Sequence, residues 1–263
     1  MLSVTRHDVT MRFADEGYTE TPYVLKPMLE GKVYEEDYLQ RIRDLGRAGV
    51  YVDVGAHLGT HTVWFAMQCP STHVHAFEPV ARFARAVRTN VELNGLSGQV
   101  TVHEVGLAGS RHGEASNHLS REHAVGMSVD EPVAFDVVFP TARLDDLVRD
   151  RVAVIKLDVE GMEPQVLAGA RRILDHDRPE VFAEAFTAVE REALERALRP
   201  YGYRNAGKVS GTGQPVFRFT APPRVGLERL RGVWRRIPAP IRGAAWRLRH
   251  RPARGRRTAP PAP

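Results

Sequence analysis

Lys156, Asp158 and Glu160 occupy every second position in Ala153–Met162 (AVIKLDVEGM), where Val154, Ile155 and Leu157 supply the apolar run of a buried strand. Alternate residues of an extended strand share a face, so the spacing predicts one site built from a cation and two carboxylates. Burying three charges together is costly unless they pair or work. A carboxylate here can take the proton from a hydroxyl, a poor nucleophile while protonated, or hold a divalent ion that does the same. Asp158 is the predicted base or metal ligand, Glu160 assists it or binds the acceptor, and Lys156 tunes both. A lysine–glutamate pair that merely ties the strand end to its neighbour is the structural alternative.

A second constellation lies upstream, in VYVDVGAHLGTHT from Val50 to Thr62. It reads as a buried strand, a glycine turn and the start of a helix, with Asp53 beside the turn. Dinucleotide enzymes use G-x-G-x-x-G at such a turn, because the backbone must approach a pyrophosphate closely. Here Gly55-Ala56-His57-Leu58-Gly59 lacks the middle glycine, a pattern that suits a bulkier, phosphate-free ligand such as S-adenosylmethionine. Glu78 closes the next strand, where a ribose presents two hydroxyls and a carboxylate can accept both hydrogen bonds. Asp53, Gly55, His57, Gly59 and Glu78 are therefore the candidate cofactor residues. Gly106 joins them, because Glu104–Leu107 ends the following strand and should line the adenine side.

These residues need a sheet to bring them to one edge. Strands are expected at Val50–Val54, Thr72–Phe77, Gln99–Val105, Ala134–Phe139, Ala153–Asp158, Glu180–Glu184, Tyr201–Asn205 and Pro215–Thr220. Helices are expected at Tyr34–Leu45, Leu58–Met67, Ala81–Leu93, Ala142–Val148, Glu163–Leu174 and Ala188–Leu198. With Ala134–Phe139 an additional strand in an insertion, the other seven alternate with helices as a doubly wound, seven-stranded, mostly parallel sheet with a final antiparallel strand. Its ligands bind where the strands end. Residues 108–133 form a long irregular segment, a candidate acceptor loop. Val9–Phe13 and Tyr23–Leu25 suggest a small hairpin or lid within residues 1–34, ahead of a catalytic domain at 35–220. Glu35 and Glu36 are expected only to favour the dipole of the leading helix.

The net charge of +5 conceals an asymmetry. Residues 224–263 hold 12 arginines and one acid, Glu228, for +11, whereas the rest has 25 basic and 31 acidic side chains, for −6. An acidic domain argues against a nucleic-acid groove on the fold and confines any polyanion or membrane contact to the segment 221–263. That segment alternates Trp234, Trp246 and aliphatic residues with arginine, so it is either disordered or a pair of amphipathic helices on the inner membrane face. With the single cysteine Cys69, no apolar leader and no run long enough to span a bilayer, the reading is cytoplasmic.

The motifs V-D-V-G-A-H-L-G (52–59), F-E-P (77–79), L-D-D (144–146), I-K-L-D-V-E-G-M-E (155–163) and V-L-A-G-A (166–170) together resemble the FkbM-type S-adenosylmethionine-dependent methyltransferases. The resemblance covers roughly residues 33–186. It implies a class I methyltransferase sheet, cofactor contacts from Asp53, Gly55, Gly59 and Glu78, and methylation of an oxygen on a sugar, glycan or polyketide-type natural product. The family usually carries Asn at the position of His57. No metal site is predicted: His57 and His61 have the i, i+4 spacing of helical zinc ligands but no third partner, and a divalent ion on Asp158 is the lesser option. The competing readings are a nicotinamide-dependent oxidoreductase and a non-enzymatic membrane- or polyanion-binding protein acting through its basic tail.

Overall fold

A computed structural model describes residues 1–15, 21–110, 113–119, 135–210 and 214–223. The chain separates into a compact unit, Met1–Pro222, and a second unit, Pro223–Pro263. The expected amphipathic helices of the tail fall outside the described residues.

The first unit opens on a hairpin of β1 (Leu2–Arg6) and β2 (Val9–Phe13), joined by His7 and Asp8 at φ 49° and 64°. Two left-handed residues match the twist of paired strands. The partner of Val9–Phe13 is thus Leu2–Arg6, and Tyr23–Leu25 is helical. It belongs to α1 (Pro22–Leu29), which starts with proline at a position needing no N–H and buries Val24 and Met28 one turn apart. Helix α2 (Glu36–Asp44) buries Tyr38, Leu39 and Ile42.

Next come β3 (Gly49–Val54), α3 (Thr60–Gln68), β4 (Ser71–Phe77), α4 (Ala81–Leu93), β5 (Val100–His103), β6 (Gly106–Leu107), β7 (Gly113–Leu119), β8 (Phe135–Ala142) and α5 (Leu144–Leu147). The unit finishes with β9 (Val152–Leu157), α6 (Glu163–Ala168), β10 (Glu180–Glu184), α7 (Ala188–Leu198), β11 (Arg204–Lys208) and β12 (Val216–Thr220). Seven strands form one sheet in the order β11-β12-β10-β9-β3-β4-β5. β5, β4, β3, β9 and β10 run parallel, and β12 runs antiparallel to both β10 and β11. The doubly wound sheet with its antiparallel strand is therefore present. Every residue of β9 is buried, as a strand covered on both faces must be. The chain moves outward from β3 to β5 and then returns to β9, so a crevice opens at the carboxyl ends of β3 and β9.

Departures from the expected elements occur where long-range pairing overrides local pattern. The additional strand expected at Ala134–Phe139 is present as β8, outside the seven-stranded sheet, and differs only in running on to Ala142 within a separate sheet of order β6-β8-β7. β7 lies within the stretch read as irregular, of which 111–112 and 120–133 are outside the described residues. The helix expected at Glu163–Leu174 is interrupted after Ala168, where Gly169 passes so close to Ala108 that a Cβ would lie 2.2 Å from its carbonyl oxygen, and helical structure resumes at Arg171 and includes a wider turn at Ile173–Asp177. Tyr201 belongs to a single turn, Arg199–Tyr201, closed by Gly202 at φ 78°, so the strand starts only at Arg204. No helix among the described residues is long and apolar enough to cross a membrane.

Candidate active site

The crevice is a cavity whose walls include Val54–Leu58, Glu78, Phe83, Gly106, Phe139, Lys156 and Asp158–Glu160. Its floor depends on Gly55, which has φ 77° and lies so near the end of β9 that a Cβ would fall 1.9 Å from the Asp158 carbonyl oxygen. Only glycine fits. His57 follows at φ 51°, a left-handed conformation in which His, Asn and Asp are enriched. Its ring packs edge-on against Phe83 at 4.4 Å, while its N–H donates to Glu78 Oε2 at 2.8 Å. Glu78 Oε1 accepts from the Val80 N–H at 2.9 Å, so one buried carboxylate joins the turn after β3 to the start of α4. Burial pushes its pKa up to about 7, against the pull of those two N–H groups. Gly106 forms the opposite wall, where a Cβ would overlap the Phe139 ring at 2.4 Å.

The charged end of the cavity is organised by Lys156, only 3% exposed. Its ammonium donates to the Gly55 carbonyl at 2.8 Å and lies 3.2 Å from Asp53 Oδ1 and 3.4 Å from Asp158 Oδ2. Burial alone would discharge it, but Asp53 and Asp158 outweigh burial and raise its pKa. Asp158, with its side chain 32% exposed, faces the cavity. Burial acts to raise its pKa, yet Lys156 and a hydrogen bond with Glu184 prevail and lower it. Asp158 is thus an ionised acceptor, and Lys156 is a fixed cation rather than a base.

Asp53 and Gly59, predicted to touch the cofactor, stand behind the wall. Asp53 is 0% exposed and accepts from Thr62 Oγ1 at 2.6 Å, so it anchors Lys156 and α3. Gly59 caps α3 and packs on Val87, to which a Cβ would approach within 3.1 Å. The shared strand face expected for 156, 158 and 160 does not exist, because β9 ends at Leu157 and Glu160 turns to φ 53° ahead of Gly161 at φ 87°. Glu160 still lines the cavity, from the loop.

Two further acids join Asp158. Glu35, expected to serve only the helix dipole, has its carboxylate 3.5 Å from His61 Nε2 and a pKa raised to about 8 by burial and then by Asp158. Glu36 instead pairs with Arg6 at 2.5 Å. Glu184, at the end of β10, is pushed up to about 10 by burial and then by Asp158. His61 accepts or donates through Nδ1 with the Tyr38 hydroxyl at 3.0 Å, and burial followed by Lys156 lowers its pKa to about 4. His57 and His61 therefore do not converge. Among the described residues, no three His, Cys, Asp or Glu side chains are grouped to hold a metal ion. An acid ending a strand makes Glu184 a fallback for the catalytic group from sequence, beside the 108–133 loop, whereas Glu35 is marked only by a tyrosine–acid step before a helix and is not read from it as part of the site.

The methyltransferase FkbM domain family matches residues 53–204, more than half of the chain. This chain belongs to the FkbM methyltransferase family. The nicotinamide reading is set aside with that assignment. The chain is 32% identical over 103 residues to the AMB antimetabolite synthetase AmbE of Pseudomonas aeruginosa, spanning 39% of this chain and 5% of that protein. It is 28% identical over 142 residues to Methyltransferase 1 of Beauveria bassiana, spanning 45% of this chain and 57% of that one. It covers less than two thirds of either relative's length. The crystal structure of methyltransferase FkbM from Methylobacillus flagellatus KT resembles it with 18% identity and a TM-score of 0.49, over 79% of this chain and 56% of that one.

Several of the methyltransferase motif residues serve the scaffold. Asp145 accepts from the N–H groups of Arg172 at 2.7 Å and Ile173 at 3.1 Å, and Glu163 accepts from the Val159 N–H at 3.0 Å. Asp145 thus ties α5 to the segment after α6, and Glu163 closes the loop that follows Asp158. Tyr23, Tyr34 and Glu35 come from outside the matched stretch, with Tyr34 stacked on His61 at 6.0 Å. The leading segment thus adds an aromatic wall to the site, Tyr23 and Tyr34, with Glu35 held beside it on His61.

Proposed function

We propose that this chain is an S-adenosylmethionine-dependent O-methyltransferase acting on a hydroxyl of a sugar, glycan or polyketide-type natural product. The observation that carries the reading is Glu78: a buried carboxylate on the cavity wall, fixed through two backbone N–H groups and flanked by Leu58, Val80 and Phe83. That donor set fits a nucleoside, with the carboxylate for the ribose diol and the apolar side chains for the base. When bound, S-adenosylmethionine supplies a methyl group on a sulfonium, and both electrons of the broken C–S bond remain on sulfur as the new O–C bond forms.

The chain's own residues hold the acceptor and manage its proton. Alignment of acceptor and methyl group supplies much of the acceleration, and the walls from β6, β8 and residues 23–35 form the surface that imposes it. Asp158, ionised and open to the cavity, takes the hydroxyl proton as the O–C bond forms and passes it to solvent. Lys156 keeps Asp158 charged, and Glu160 supplies an acceptor contact from the loop.

Calorimetry with S-adenosylhomocysteine tests the cofactor assignment. Wild-type protein is expected to bind it, and Glu78→Ala to weaken binding by about 2–3 kcal/mol through loss of two charge-assisted hydrogen bonds. Absence of binding to wild type, or equal affinity in a folded Glu78→Ala protein, would sink the assignment.

A further inference from the structure

We propose that Asp158 and Glu184 form a carboxyl pair sharing one proton, in which Glu184 carries the proton behind the cavity wall and positions Asp158 as the base. This rests on the reading of Asp158 as proton acceptor and adds a positioning residue to it.

The geometry follows from the sheet. In the parallel pairing of β9 and β10, Phe182 lies opposite Lys156 and Ala183 opposite Leu157. One step further, Glu184 stands beside Asp158 at the strand ends, on the same sheet face as Lys156. Neighbouring positions on one sheet face make each carboxyl group the other's electrostatic partner. Ionised carboxylates only accept hydrogen bonds, so two such neighbours can bond to each other only if one of them holds a proton. The surroundings decide which one.

Asp158 has the Lys156 ammonium at 3.4 Å and a side chain 32% exposed. Glu184 is 5% exposed, and the charges acting on it most are those of Asp158, Glu35 and Glu160, all of them acids. The Gln214 amide, oriented to donate, meets Glu184 Oε2 at 2.8 Å, a neutral partner rather than a cation. Opposed directions of the two pKa values, Asp158 down and Glu184 up, agree with this division. Two acids pushed apart by their environments are how a site obtains one base and one donor. Glu184, pointing its proton at one Asp158 oxygen, leaves the other oxygen for the acceptor hydroxyl.

The test is a carbon-13 NMR titration of protein labelled at the Asp and Glu carboxyl carbons, with Glu184→Gln assigning the Glu184 signal. Glu184 is expected to titrate near pH 10. In Asp158→Asn its midpoint should fall by about one unit or more, since the neighbouring charge is gone. Asp158 should stay ionised in Glu184→Gln, whose amide still donates, and titrate upward in Glu184→Ala. A Glu184 midpoint below pH 6 in wild type, or one unmoved by Asp158→Asn, overturns the pair. Calorimetry with S-adenosylhomocysteine on the same samples keeps the two ideas apart. Lost ligand binding with the alkaline Glu184 titration intact counts against the cofactor reading alone, and the converse counts against the pair alone.

Discussion

Lys156 is the charge on which the other groups of the site depend. With Asp53 fully buried on one side and Asp158 on the other, its ammonium compensates two carboxylates while its remaining proton is directed at the Gly55 carbonyl. A buried pair of this sort adds little compared with an apolar replacement of both partners, yet removing one partner strands the other. Lys156→Met should therefore lower unfolding free energy by about 3–5 kcal/mol, because Asp53 is left uncompensated. Urea unfolding measures it, and stability within error of wild type would show that Asp53 is satisfied without the lysine. The residue type and its spacing from Asp158 were legible in the sequence. Its partner Asp53 was also named, but as a ligand contact rather than as the buried counter-ion.

At the scale of elements, the turn between β3 and α3 sets the shape of the cavity. Gly55 lets two loops approach, and His57 at φ 51° aims its N–H at Glu78. The backbone conformation matters here more than the imidazole, which explains how the family's usual Asn and this chain's His can serve the same position. His57→Asn should change stability by no more than about 0.5 kcal/mol, whereas His57→Val should cost about 1–2 kcal/mol, because a β-branched residue is disfavoured in the left-handed region. Thermal unfolding of the two variants decides it. Equal losses would mean that the ring packing on Phe83, not the backbone, holds the turn.

The whole chain is electrostatically divided, with an excess of acids up to residue 223 and +11 over residues 224–263. Arginines interleaved with Trp234 and Trp246 favour an anionic lipid surface, to which each basic residue near the membrane adds about 1 kcal/mol. The chain of residues 1–263 is expected to float with vesicles containing anionic lipid and to release in high salt, whereas a chain ending at Thr220 should stay in solution and still bind S-adenosylhomocysteine. Equal flotation of the two refutes docking through the tail.

The sheet was readable in advance because its signals are local. Apolar runs at 50–54 and 153–157, each interrupted by a single charge, glycines where the chain must turn and acids at strand ends each follow from neighbouring residues, and together they specified a doubly wound fold with its crevice at Gly55, Glu78 and Asp158. The tertiary structure alone decided which acids meet. Glu35 and Glu184 lie 123 and 26 residues from Asp158 along the chain, and nothing in their own surroundings marks them as its partners. It also moved Asp53 and Gly59 behind the wall and ended the strand alternation at Leu157. The physical reason is the same in each case. Strand partners and the burial of a charge are fixed by packing between distant segments, and one left-handed residue, such as Glu160, is enough to undo a face that spacing alone would predict.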